Sequence, residues 1–204
     1  MNQKERMLGG LPFKPWLDGL SEERLACQKK LRRFQELPPE DWEGATALLK
    51  EIFGKTGETL HVVPPLFCDY GTNIQVGENF FANYHFTVLD SAPVMIGENA
   101  QIGPNVSLYT AGHPMYPDAR NSGYEWGMPI TIGKNVWIGG NTVVCPGVTI
   151  GDCVVIGAGS VVTKDIPSWT VAVGNPCRVI REITEADRDF YYRDRKFDVD
   201  DYLP

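Results

Sequence analysis

The chain has 204 residues, 43% hydrophobic and 22% charged, a composition that suits a globular protein with one well-buried core. Its 26 acidic residues outnumber 19 Lys and Arg, and the net charge of -7 excludes nucleic acid or an anionic membrane as the principal partner. The first ten residues lack the apolar core of a secretory signal and no apolar run reaches the length of a membrane span, so a cytoplasmic protein is expected.

Residues 1–60 read as a helical cap. Ser21 is the expected N-cap of a helix from Ser21 to Leu37, with Glu22 and Glu23 at the positive end of the dipole and Leu25, Leu31 and Phe34 on one face. Pro38-Pro39 ends it. A second helix is expected from Asp41 to Phe53, carrying Leu48, Leu49, Ile52 and Phe53, with Gly54 as its stop. At the far end, 184–204, Thr184-Glu185-Ala186-Asp187 opens a short C-terminal helix followed by a loose acidic tail.

Residues 61–183 follow a different period. Taken in sixes from Ile132 they read IGKNVW, IGGNTV, VCPGVT, IGDCVV, IGAGSV and VTKDIP, with an aliphatic residue opening every unit. The frame also fits IGENAQ and IGPNVS from Ile96, and four units from Tyr70, with a two-residue slip before Ile96. Six is the period neither of a helix nor of a strand alternation; it is that of a β-helix, in which each unit is a short strand and a corner. Three units close one triangular coil, and the aliphatic residues stack inside the prism about 4.8 Å apart. The expected fold class is therefore mainly β.

Leu108 and Ile132 are both in frame, yet 109–131 is polar, aromatic and rich in Gly and Pro, as befits a loop thrown out from a corner. It holds His113, one of three histidines. From the residues alone His113 stands open between a hydrogen-bonded packing residue and a functional group; His61 and His85 read as packing residues.

Several motifs resemble the maltose/galactoside O-acetyltransferase family, nearer its maltose-type branch. They are Thr110-Ala111-Gly112-His113-Pro114, Pro129 through Gly139, Asp69 through Ile74, Asn79 through Asn83, Val162 through Pro167 and Gly174 through Ile180. The resemblance implies a left-handed parallel β-helix and a homotrimer with active sites between subunits. It also implies transfer of an acetyl group from acetyl-CoA to a hydroxyl of a small sugar such as maltose or glucose, with no metal. By this resemblance His113 is the general base, a role suited to an imidazole that titrates near working pH. Asn83 lies beside the acetyl group, and the backbone N–H of Gly140 meets the developing oxyanion. Trp137, Ala158, Thr163 and Lys164 follow the pantetheine arm, and Arg178 and Arg181 meet the nucleotide phosphates. On the acceptor side stand Asp69 and Glu125, which match the maltose-type branch. Phe81 stands where the family has Tyr, Ser91 where it has Asp, and Pro15, with Asp18 nearby, where the galactoside branch has an acceptor-contacting Asp.

Three alternatives share the scaffold: a xenobiotic, chloramphenicol-type acetyltransferase, a zinc carbonic anhydrase and a non-enzymatic solenoid. The zinc enzyme needs three converging histidines, and His61, taken to lie outside the repeat, does not join the others. The five cysteines, Cys27, Cys68, Cys145, Cys153 and Cys177, form no C-x-x-C pair and read as free buried thiols.

Overall fold

In the computed structural model, which describes residues 1–202, the six-residue frame winds into a parallel β-helix of three faces; 203 and 204, the end of the expected tail, lie outside the described residues. The first face stacks Leu60–Val62, Phe80–Ala82, Gln101–Ile102, Trp137–Ile138, Val155–Ile156 and Thr170–Val173. The second stacks Leu66–Cys68, Phe86–Leu89, Ser107–Tyr109, Val143–Val144 and Val161–Val162, and the third Ile74–Val76, Val94–Ile96, Ile130–Ile132 and Thr149–Ile150. Alternate side chains point inward, two from each of the three-residue strands of the early coils, and the second of them stands on its equivalent in the next coil. The rows are Val62, Ala82, Ile102, Ile138, Ile156 and Ala172 on the first face. They continue as Cys68, Val88, Leu108, Val144 and Val162 on the second, then Val76, Ile96, Ile132 and Ile150 on the third, all buried.

At two corners of every coil, successive rows lie six residues apart: Val62 to Cys68 and Val76 to Ala82 begin the two series. The corner from second face to third alone departs. There the separation is eight from Cys68 to Val76, eight from Val88 to Ile96, 24 from Leu108 to Ile132 and six from Val144 to Ile150. It falls to four from Val162 to Ile166. The slip before Ile96 is thus one of two, and Tyr70, placed in frame by its sequence position, sits outside the rows in a separate cluster with Met7, Phe13 and Leu20. His61 lies inside the repeat, on the first strand, opposite Phe81.

The third-to-first corner is a side-chain ladder. Asn79, Asn99, Asn135 and Cys153 all hold φ near +55°, which asparagine tolerates. Asn79 Nδ2 donates to Asn99 Oδ1 and Asn99 Nδ2 to Asn135 Oδ1, both at 3.0 Å.

Three helices pack at the start of the prism: α1 (Gln3–Leu8), α2 (Leu20–Gln35) and α3 (Trp42–Ile52). The first was absent from the sequence reading and is closed by reciprocal bonds between Asn2 and Glu5, at 2.8 and 2.9 Å. Helix α2 begins at Gly19, whose φ of 85° ends the preceding turn, so Ser21 is inside the first turn and not its N-cap. Its buried stripe is Leu20, Cys27, Leu31 and Phe34; Leu25 is 53% exposed, because six residues before Leu31 it points about 120° away from that stripe. The helix side chain of Gln35 donates to the Leu66 carbonyl at 3.1 Å, covering an edge strand that would otherwise template pairing. Helix α3 is capped by Asp41, which accepts from the Gly44 N–H at 2.9 Å. Beyond the prism, the expected C-terminal helix is a single 3₁₀ turn, Glu185–Asp187, and a hairpin of Phe190–Tyr192 with Arg195–Lys196 replaces the loose tail. The aromatic residues of 190–192 favour an extended backbone, and Phe197 packs edge-on to Tyr191 at 5.6 Å. All five cysteines are free, with Cys145 and Cys153 only half-buried. Among the described residues no helix is long and apolar enough to cross a membrane.

Candidate active site

The variable corner is where polar chemistry collects. In the first coil it carries Asp69 and Tyr70, in the second Asp90 and Ser91, in the third the arm 109–131, and later Thr163 and Lys164. Successive coils are tied there by side chains. Asp90 Oδ1 accepts from the N–H groups of Asp69 and Tyr70, each at 2.9 Å, and the Asp90 carbonyl accepts from Asn73 Nδ2 at 2.7 Å. Thr110 Oγ1 accepts from the Ala92 N–H at 2.9 Å and donates to the Leu89 carbonyl at 2.6 Å. Asp90 is 0% exposed, its Oδ2 has no partner, and burial pushes its carboxyl up to about 6. Ser91 is also buried, beneath the arm at Gly127.

The arm is ordered by two strands and one helix. Ala111–Gly112 runs antiparallel to Trp126–Gly127, with Gly112 opposite Trp126, and α4 (Pro117–Asn121) begins at a proline suited to a first turn. A Cβ at Gly112 would enter the Trp126 ring. The second leg is held from the other side: the Phe13 N–H donates to the Glu125 carbonyl and the Glu125 N–H to the Phe13 carbonyl, both at 2.9 Å. Phe13 itself is buried in the cluster with Met7, Leu20 and Tyr70. His113 follows Gly112 and is exposed, while Glu125 is half-buried.

The charges at this corner feel one another. Burial raises the Glu125 carboxyl, with His113 the leading charge that opposes the rise. Burial raises Asp69 too, opposed by Arg24 of α2, and pushes Tyr70 up to about 12, with Asp69 adding to it. Arg24 and Asp90 had no place in the sequence reading; the slip at Asp90 was the only signal, and nothing in local sequence ties Arg24 to a corner some 45 residues away.

A second surface lies on the first face and its corner toward the second. A groove of about 450 Å³ is lined by Phe81, Asn83, Pro104, Trp137, Gly140 and Ala158, among others. Asn83 Oδ1 accepts from the Tyr84 N–H at 2.8 Å, and its amide nitrogen has no protein acceptor among the described residues. Trp137 is 55% exposed, and Gly140 sits so close to Pro104 that a Cβ would be 3.0 Å from its carbonyl oxygen. The lining of this groove is largely apolar. Arg178 and Arg181 lie beyond it on the exposed strand Arg178–Glu182, antiparallel to Thr170–Val173; Arg181 is paired with Asp187 at 2.9 Å.

Two groups of residues therefore separate within one chain. Phe81, expected with the acceptor residues, stacks beneath His61 at 5.6 Å on the groove side. His113, Asp69, Ser91 and Glu125 stand at the variable corner, across the second face from Asn83, Gly140 and Ala158. The three histidines are dispersed: His61 on the first face, His85 at its corner with φ of 60°, and His113 in the arm. No group of three or more His, Cys, Asp or Glu able to hold a metal occurs among the described residues.

Residues 6–57 match the family model of the maltose acetyltransferase hexapeptide capping motif, and residues 129–164 the model of the bacterial transferase hexapeptide, six repeats. The chain is 47% identical to the galactoside O-acetyltransferase of Escherichia coli strain K12, over 96% of this chain and 97% of that protein. It is similar in structure to a maltose O-acetyltransferase from Clostridium difficile 630, with TM-score 0.90 and 51% identity over 91% of this chain and 99% of the other. A galactoside acetyltransferase solved in complex with coenzyme A superimposes with TM-score 0.94 at 46% identity, over 98% of this chain and 100% of that one.

Proposed function

Because the chain belongs to the galactoside and maltose O-acetyltransferase family of hexapeptide-repeat proteins, we propose that it moves the acetyl group of acetyl-CoA to a hydroxyl of a small sugar such as maltose or glucose. The observation that carries this reading is the arm. At the one corner where the coil length varies, 18 residues beyond the frame bring His113 near Glu125, and burial raises the carboxyls of both Glu125 and Asp69 there.

Each residue then has a task. His113 takes the proton of the attacking hydroxyl and returns one to the departing thiolate. Asp69 and Glu125 accept hydrogen bonds from sugar hydroxyls, which suits carboxylates held in a partly dry site better than an apolar xenobiotic would. Acetyl-CoA supplies an activated thioester when bound in the groove. Trp137 and Ala158 line its arm, the Gly140 N–H faces the carbonyl oxygen, and Asn83 offers its amide to the acetyl group. Thr163 and Lys164, at the variable corner of a second copy, extend the path from the other side, and Arg178 and Arg181 take the phosphates, where planar guanidinium groups give two-point hydrogen bonds. The free thiols fit a reducing, cytoplasmic setting.

One chain holds His113 and Asn83 on different edges of the prism, so the reading requires a second copy at each site, and a closed homotrimer supplies three equivalent ones. The test is release of CoA thiol from acetyl-CoA with glucose, maltose, a galactoside and chloramphenicol as acceptors, wild type beside His113→Ala. Turnover with a sugar and a fall of about 10²–10⁴-fold in the variant are expected. Equal rates in the two proteins would remove His113 as the base; activity confined to chloramphenicol would remove the sugar.

A further inference from the structure

The arm's register has a chemical meaning beyond holding a loop. Gly112 is opposite Trp126 and Ala111 opposite Gly127, so the next cross-strand position sets His113 opposite Glu125. Both main-chain groups of Glu125 are turned to the other side, where they bond Phe13 at 2.9 Å. A residue so turned faces its second neighbour as a non-hydrogen-bonded pair, the closer of the two antiparallel arrangements, with Cα atoms about 4.5 Å apart and side chains on the same face. The influence of His113 on the Glu125 carboxyl agrees with that proximity. Phe13 is immobilised in turn by the buried cluster of Met7, Leu20 and Tyr70. Fixed groups therefore run from the helical cap through Phe13 to Glu125, whose strand position faces that of His113.

We propose that Glu125 is a positioning residue for His113: its carboxylate holds the imidazole in one orientation and one tautomer, and it does so from a strand that the N-terminal segment clamps. This rests on the acetyl-transfer reading above and adds to the acceptor contact assigned there to the same side chain. The distinction is chemical. A carboxylate that only binds sugar matters to sugars alone, whereas one that orients the base matters to every acceptor, water included.

The variants are Glu125→Gln and Glu125→Asp, with acetyl-CoA hydrolysis in the absence of sugar as the first readout. A fall of about 10–100-fold in Glu125→Gln is expected for hydrolysis and for kcat with glucose and maltose alike, with KM for acetyl-CoA unchanged and partial recovery in Glu125→Asp. Hydrolysis at the wild-type rate, with loss confined to sugar transfer, overturns the positioning role. The ¹⁵N signals of the three imidazoles give a readout that needs no turnover. His113 should report one tautomer in wild type and a redistributed ring in Glu125→Gln. If wild type releases no thiol with any acceptor, the acetyl-transfer reading falls, and the ring signals decide the pairing: an unchanged His113 spectrum overturns it.

Discussion

Asp90 shows how a single side chain is set against stability by its position. Its carboxyl ties Asp69 and Tyr70 in place, yet it is buried with one oxygen unpartnered, and its pKa rises from 3.8 to about 6. A raised folded value means that the protonated form is the comfortable one. The stability it allows is fully present below pH 3.8 and is lost as pH climbs through 6, a difference of roughly 2–3 kcal/mol at most. Asp90→Asn keeps an acceptor for both N–H groups and removes the charge. It should be more stable than wild type at pH 8 and lose most of that advantage near pH 4, as read from urea midpoints at the two values. An equal gap at both would show that the Asp90 carboxyl titrates alike in the folded and unfolded chain, so that burial does not raise it. The cost is understandable if a rigid corner serves the site, since strained or dry polar groups concentrate where function needs them. Sequence reading passed over Asp90 because a buried carboxylate at a repeat slip looks like any other polar turn residue. It misplaced Leu25 for a different reason: helical spacing fixes which residues share a stripe only once the stripe's true members, Leu20 and Cys27 among them, are known.

At the scale of elements, the arm depends on close passage of its two legs. Gly112 lies under the Trp126 ring with no room for a Cβ, and His113 is the next residue. Gly112→Ala should push the legs apart and displace the imidazole, lowering kcat about 10-fold or more while costing only about 1–3 kcal/mol of stability, typical of overpacking. Thiol-release kinetics beside thermal unfolding would separate the two effects; normal kcat with the same loss of stability would show that the legs move without the base. The rows of the prism were legible in the sequence, since every inward position from Ile132 to Val162 must be aliphatic and recur at six. So was the interruption containing His113. Its internal hairpin was not, because Ala111–Gly112 and Trp126–Gly127 are two residues each and carry no alternation to read. The pairing of Phe13 with Glu125 was hidden too, as it joins segments more than a hundred residues apart. Helix α1 left a local trace, Asn2 and Glu5 at capping-box spacing, in a stretch otherwise read only for what it lacked.

For the whole molecule, the division of Asn83 and His113 between two edges of the prism makes a direct test of assembly possible. His113→Ala keeps Asn83, and Asn83→Ala keeps His113. If each site takes one residue from each of two copies, unfolding and refolding the two inactive variants together should restore up to about a quarter of wild-type thiol release, the share of interfaces with both residues intact in a random trimer. No recovery would mean that each chain builds its site alone. The corner between second and third faces has one more consequence. Coil after coil gains or loses residues there, by two, by eighteen or not at all, and no inward row shifts. Loop-closure entropy grows only slowly with length, so additions along this edge are thermodynamically cheap. At the other two corners the spacing stays six in every coil. The prism thus has one seam along which evolution, or a protein engineer, can write new recognition elements while leaving the interior untouched.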